Sequence, residues 1–258
     1  MNTSAAGLRV LVTAGAAGIG RAIAQTFVAH GARAHICDVD RGALEEAKRL
    51  LPQVTQSVTD VASPAEVDRL FVDVKRELGG LDVLVNNAGI AGPTGKIEDL
   101  NPEDWDRCIA VDLNSMFYCT RLAMPLIKAA GGGSIINLSS VAGRLGFPLR
   151  TPYAAAKWAV VGLTKSLAIE AGSDGVRVNC LQPGNVEGER INRVIDAKAK
   201  ALDIPFEAQK QKLLDTVSLR TFVTAEDIAN MALFLATDAG KHISGQALSI
   251  CGDIAHTV

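Results

Sequence analysis

"LRVLVTAGAAGIGRAIAQTFVAHGARAHICD", residues 8–38, decides the fold of this 258-residue chain. It opens with an apolar run of strand length, "LRVLVT" (8–13), which ends in the glycine-rich turn "AGAAGIG" (14–20). A helical stretch then runs to about His30, and "ARAHICD" (32–38) reads as a second strand ending on Asp38. Near-continuous apolar strands, as opposed to alternating ones, belong to sheets covered on both faces. Strand, turn, helix and strand in that order form the repeating unit of a parallel sheet.

The pattern continues outward. "VTQSVTD" (54–60) is strand-like, and a helix over 63–78 is announced by Ser63 at its N-cap and Pro64 in its first position. "LDVLVNN" (81–87), "GSIINLSS" (133–140), "GVRVNCLQ" (175–182) and "GQALSIC" (245–251) add four strands, with a long helical region over 101–130. Seven strands with helices between them predict an α/β fold: a doubly wound, seven-stranded parallel sheet with helices on both faces. No repeat or low-complexity linker divides the chain, so residues 1–258 read as a single domain. The charged, irregular segment 187–220 between the sixth and seventh strands reads as an inserted helical flap.

Composition narrows the function. A net charge of −2 leaves no basic footprint for nucleic acid, and no polybasic stretch points to a membrane surface. The N-terminal residues lack the pattern of a secretory signal, and no apolar segment is long enough to span a bilayer. The expectation is a cytoplasmic protein with no nucleic-acid or membrane partner. Five scattered cysteines and four scattered histidines show no ligand spacing, so no metal site and no disulfide frame is expected.

Gly15, Gly18 and Gly20 follow the first strand with G-x-x-G-x-G spacing. Such a turn lets backbone N–H groups and a helix N-terminus meet a pyrophosphate, although a glycine turn between strand and helix is also ordinary architecture. Asp38 stands 18 residues after Gly20, where a carboxylate would accept hydrogen bonds from an adenosine ribose diol and repel a 2′-phosphate. Ala16 and Ala17 supply no cation to offset it. The combination favours NAD over NADP.

"YAAAK" (153–157) places Tyr153, one of only two tyrosines, four residues before Lys157, on one face of a helix. With "TAGAAGIG", "NNAG" (86–89), "SS" (139–140) and "QPG" (182–184) it forms an ordered set. In that set the chain resembles the short-chain dehydrogenase/reductase family from about Leu8 to Gly252. The resemblance implies a Rossmann-like fold, NAD as cofactor, a homotetramer, and hydride transfer between the nicotinamide and a secondary alcohol or ketone. Tyr153 would be the acid–base group, Lys157 would favour its phenolate and hold the nicotinamide ribose, and Ser140, 13 residues before Tyr153, would align the substrate oxygen. Ser139 is left a structural hydrogen bond. Gly15, Gly18, Ile19 and Gly20 would surround the pyrophosphate, while Asp60 and Val61 would contact adenine. Asn87, Ala88 and Gly89 would lie by the adenosine ribose, and Pro183, Gly184 and Val186 would border the nicotinamide.

Three positions depart from the family pattern. Ala14 stands where the family has glycine, and the loop is expected to shift so that Gly15 takes any left-handed conformation. Asp112 replaces a catalytic asparagine and would bring negative charge near Lys157. Gly188 replaces a threonine that bonds the nicotinamide amide. The polar set Arg144, Arg150, Asn185, Glu187, Glu189 and Arg190 around the flap suggests a small polar substrate, namely a polyol, sugar derivative or hydroxy acid, with an arginine pairing any anionic group. Each of these side chains can equally face solvent or another subunit. Two other classes stay open: a non-catalytic NAD-binding regulator, and a non-redox epimerase or dehydratase.

Overall fold

The strands are apolar along their whole length because each face of the sheet is buried. In the first strand, β1 (Arg9–Thr13), Val10 and Val12 point to one face and Leu11 to the other, and all three are fully buried. The structure, a computed structural model, describes residues 3–256 apart from the side chains of Arg190, Ala197, Lys198 and Ala201. Among them β1, β2 (Arg33–Asp38), β3 (Thr55–Val58), β4 (Val83–Asn86), β5 (Gly133–Leu138), β6 (Val176–Pro183) and β7 (Ala247–Ile250) form one parallel sheet. Its order is β3-β2-β1-β4-β5-β6-β7. This is the doubly wound arrangement read from the sequence, with strand ends shifted by a residue or more.

On one face, Val10, Val12, Ile36 and Ile136 pack against α1 (Gly18–Ala29), α2 (Arg41–Leu50) and α9 (Ala225–Ala236) through Phe27, Leu44 and Ile228. On the other, Leu11, Leu84 and Ile135 meet α3 (Pro64–Leu78) and α5 (Ser115–Ala129) through Phe71, Val74 and Ile127. Ser63 caps α3 by accepting the Glu66 N–H, and Pro64 occupies its first turn.

Two features place the candidate site. The chain leaves β1 toward β2 and β3, then returns to β4 on the opposite side. A crevice therefore opens beyond the C-terminal ends of β1 and β4, where ligands collect in such sheets. The helical region over 101–130 is also not uniform: α4 (Pro102–Ile109) passes into a π-helical segment, Ala110–Asn114, before α5 begins. The predicted flap contains α7 (Glu189–Ala201) and α8 (Phe206–Asp215), which share a small core of Ile195, Leu213 and Phe222. α6 (Thr151–Ala171) completes the set. No helix among the described residues is long and apolar enough to cross a membrane.

Candidate active site

The glycine turn folds back on the sheet at the crevice. Gly15 packs against β2 so closely that a Cβ there would lie 2.7 Å from the Ile36 side chain. The left-handed conformation falls on Ala14, with φ +48°, and not on Gly15 as the sequence suggested. The reason is visible across the sheet: the Asn87 side chain, just past β4, donates to the carbonyls of Thr13 at 2.9 Å and Ala14 at 3.0 Å. Thr13 Oγ1 in turn accepts the N–H groups of Asn87 and Ala88. Gly20 is the close-approach glycine, since a Cβ there would sit 2.1 Å from the Ala14 carbonyl oxygen. α1 then begins with no side-chain cap on Ala17 and no acid in its first turn, so its leading N–H groups are open to an anion.

A cavity of about 830 Å³ runs from this turn across the sheet end. Asp38 stands at one end, its carboxylate accepting from the N–H groups of Ala16 at 3.3 Å and Asp40 at 3.2 Å. Gly18, Ile19, Gly20, Asn87, Gly89, Pro183, Gly184 and Val186 line the cavity, with Ser140, Tyr153 and Lys157 at its far side. An uncapped helix terminus, the Asp38 carboxylate and a wall with Ile19, Pro183 and Val186 among its apolar residues fit a nicotinamide dinucleotide. Gly15, Asp60, Val61 and Ala88 are not on this wall. Gly15 and Ala88 support the turn, and Asp60 pairs with Arg107 at 3.1 Å while capping the Ala62 N–H.

Tyr153 and Lys157 sit in the first two turns of α6. The lysine ammonium lies 5.5 Å from the centroid of the tyrosine ring. Lys157 is almost wholly buried; it donates to the Leu138 carbonyl at 3.1 Å and pairs with the fully buried Asp112 at 3.4 Å. Ser140 follows β5, and its hydroxyl accepts the Ala142 N–H at 3.2 Å. Ser139 donates to the Lys157 carbonyl at 2.7 Å, the structural bond expected of it. That bond and the close approach of Gly143 to the same carbonyl seat the serine loop on α6.

Residues 14–252 match the family model described as enoyl-(acyl carrier protein) reductase, a short-chain dehydrogenase/reductase model. The chain is a short-chain dehydrogenase/reductase. It is 35% identical over 253 residues to D-beta-hydroxybutyrate dehydrogenase of Cupriavidus necator, covering 95% of this chain and 97% of the relative. It is likewise 35% identical over 249 residues to 3alpha-hydroxysteroid dehydrogenase of Mediterraneibacter gnavus, covering 94% of each. L-sorbose reductase from Gluconobacter frateurii, solved with NADPH and L-sorbose, superposes with a TM-score of 0.93 over 100% of both chains at 28% identity.

Members of this family act on hydroxyl or keto groups with a nicotinamide cofactor, and the departures of this short-chain dehydrogenase/reductase cluster around that chemistry. Gly188 lines the cavity at φ +134° with open space beside it, and Asn185, Glu187 and Glu189 are the polar side chains on that stretch of wall. Arg150 also lines the cavity. Its guanidinium stacks over Tyr153 at 5.1 Å and Phe147 at 5.6 Å and donates to the Ala91 carbonyl. Arg144 instead turns to the C-terminal segment, donating to the Ile254 carbonyl at 3.0 Å. Glu187 and Glu189 reach the wall, while the side chain of Arg190 lies outside the described residues. Sequence reading missed Phe147, Arg193 and His256, which also line the cavity. The polar flap signaled Arg193, whereas nothing local marked the other two.

Proposed function

We propose that the chain catalyses NAD-dependent hydride transfer between a small polar secondary alcohol and its ketone. The observation that carries this is a single cavity with Asp38 at one end and Ser140, Tyr153 and Lys157 at the other. Bound nicotinamide supplies the hydride acceptor or donor. Tyr153 takes the alcohol proton during oxidation and returns it during reduction. Lys157 stabilises the phenolate, and Ser140 holds the reacting oxygen in line. The Asp38 carboxylate supports NAD, because a 2′-phosphate would meet like charge there.

Arg150, Arg193, Glu187 and Asn185 at the cavity support a polar substrate: a polyol, sugar derivative or hydroxy acid. The names of the hydroxybutyrate and sorbose enzymes fall in that class, and that of the hydroxysteroid dehydrogenase falls outside it. The reading includes one domain, with α7 and α8 as its substrate flap. It also includes a homotetramer, supported by exposed Phe117 on α5 and Trp158 on α6, which sedimentation would test.

The test follows NADH absorbance with polyols, hydroxy acids, sugars and simple secondary alcohols, offered with NAD or NADP, beside Tyr153→Phe. Turnover with NAD that falls by about 10²–10⁴ in the variant is expected. Asp112 favours one second reading, a non-redox NAD-binding protein. Tight NAD binding with no turnover across the panel would move the conclusion there.

A further inference from the structure

We propose that Asp112 is a positioning residue that pins Lys157 and sets the charge against which the Tyr153 hydroxyl ionises. The inference rests on the reading of Tyr153 as the acid–base group. Asp112 is wholly buried, and three donors converge on it. The Ile90 N–H reaches Oδ1 at 2.9 Å, the Cys108 thiol reaches Oδ2 at 3.3 Å, and the Lys157 ammonium lies 3.4 Å from Oδ1. A carboxylate enclosed this way is matched donor by donor, as a buried charge must be.

The backbone is arranged for the meeting. Asp112 lies in the π-helical segment between α4 and α5, where the widened turn breaks the regular helical spacing. Gly89 leaves the gap through which the two groups touch: a Cβ there would lie 2.5 Å from Asp112 Oδ1 and 3.2 Å from Lys157 Nζ. Lys157 thus donates to the Leu138 carbonyl and forms an ion pair with Asp112. Lys157 also lines the cavity, and its ammonium keeps donor capacity beyond the Leu138 bond.

An asparagine at this position would offer the same acceptor oxygen without charge. The aspartate places an anion against the cation that Tyr153 depends on. Asp112 and Lys157 are both buried, so the charge on one is felt strongly at the other. Among the described residues, the charged and titratable groups in contact with Tyr153, with its lysine or with Asp112 are Lys157 and Arg150 as cations, Asp112 as the anion, and Cys108, while Glu187, Glu189, Arg193 and His256 line the same cavity. Burial pushes the Cys108 thiol up to about 12, with Asp112 reinforcing it, so Cys108 stays a neutral donor. Of those in contact, the Asp112 carboxylate is the one that opposes phenolate formation.

The test needs neither substrate nor turnover. Tyrosinate absorbs in the near ultraviolet, and Tyr118 is the only other tyrosine, so subtracting the Tyr153→Phe titration isolates Tyr153. Asp112→Asn should move the rise of the Tyr153 signal to lower pH by about one unit. Superimposed curves, or a shift to higher pH, overturn the proposal. A purely structural Asp112 would lower the melting temperature and leave the titration in place. Should Asp112→Asn not fold, Asp112→Ser gives the same reading with a smaller neutral group. A titration that moves in a protein inactive on every alcohol removes the proposed reaction and leaves this inference. Intact turnover with an unmoved titration removes this inference alone.

Discussion

The side-chain amide of Asn87 donates to the carbonyl of Ala14 across the gap between β4 and β1, at 3.0 Å, and holds an alanine in a conformation that glycine usually takes. The turn that would receive a pyrophosphate is therefore clamped from a neighbouring strand. Asn87→Ala removes that bond and the one to Thr13. A loss of about 1–3 kcal/mol of stability is expected from the two released carbonyls. NAD affinity measured by calorimetry should fall about tenfold as the turn loosens, an effect that the same stability loss elsewhere in the sheet would not produce.

Ala14 at φ +48° carries a steric cost that glycine would not. Ala14→Gly should stabilise the fold by up to about 1 kcal/mol, partly offset by the freer unfolded chain. That corresponds to a melting temperature higher by about 2–4 °C in a chain of this size. A fall in melting temperature would show that the neighbouring contacts, and not the backbone angle, dominate at this position.

Asp38 supplies a negative charge to the cavity wall, where the proposed NAD would place its adenosine ribose. Asp38→Asn removes the charge and leaves one acceptor oxygen where the Ala16 and Asp40 amides use two, so one of those amides loses its partner. Charge-assisted hydrogen bonds exceed neutral ones by about 1 kcal/mol or more. NAD should bind about tenfold more weakly to the variant, and the gap between NAD and NADP should narrow. Dissociation constants for both nucleotides check this, and an unchanged ratio would remove Asp38 from cofactor selection.

Arg150 stacks on Tyr153 and Phe147 beside the reacting end of the cavity. If it pairs a substrate carboxylate, Arg150→Ala should lower kcat/KM for a hydroxy acid by about tenfold to a hundredfold, chiefly through KM. A neutral polyol should be turned over almost as before. Equal losses on both substrates would assign Arg150 to holding the tyrosine and not to reading an anion.

A pH-dependent stability is built into β2, whose end reaches the cavity at Asp38. His35 on β2 is fully buried, and its ring bonds Thr55 Oγ1 at 2.8 Å and Ser57 Oγ at 3.0 Å, while Ser57 donates to Asp73. Burial lowers its pKa from the ordinary 6.5 to about 4. The folded state thus binds this proton less readily than the unfolded chain does. Its contribution is complete above about pH 6.5 and is lost as the pH falls toward 4, about 3 kcal/mol in all. Urea unfolding across that interval should show the slope, and His35→Gln should flatten it.

Much of this was readable before any coordinates. The glycine turn, the strand-ending Asp38 and the Tyr153–Lys157 pair are local signals whose spacing maps directly onto a turn, a strand end and one helical face. What escaped has physical reasons. Alanine is not a residue whose presence marks a left-handed backbone, so Ala14 was read as forcing a shift onto Gly15; the clamp responsible, Asn87, lies 73 residues away. The π-helical segment keeps an apolar pattern close to that of an α-helix, and nothing in "AVDLN" announces the wider turn. Phe147 and His256 reach the cavity from a loop and from the C-terminal segment, where no periodicity ties residue to place.

The flap is fastened at its two ends and carries its own packing. Val186 and Val223 bridge at its base, and the Glu187 and Val223 amides close the join. Further on, Val217 pairs with Ile254, and the C-terminal segment also receives Arg144 from the serine loop. This construction makes α7 and α8 a transplantable cassette. Under the proposed function, exchanging residues 187–222 for those of a relative should retune which alcohol is accepted and leave Tyr153 and Lys157 on α6 and Ser140 in the loop after β5 undisturbed. The graft has to carry the residues around 254 with it, because the cassette's far edge is stitched to that tail.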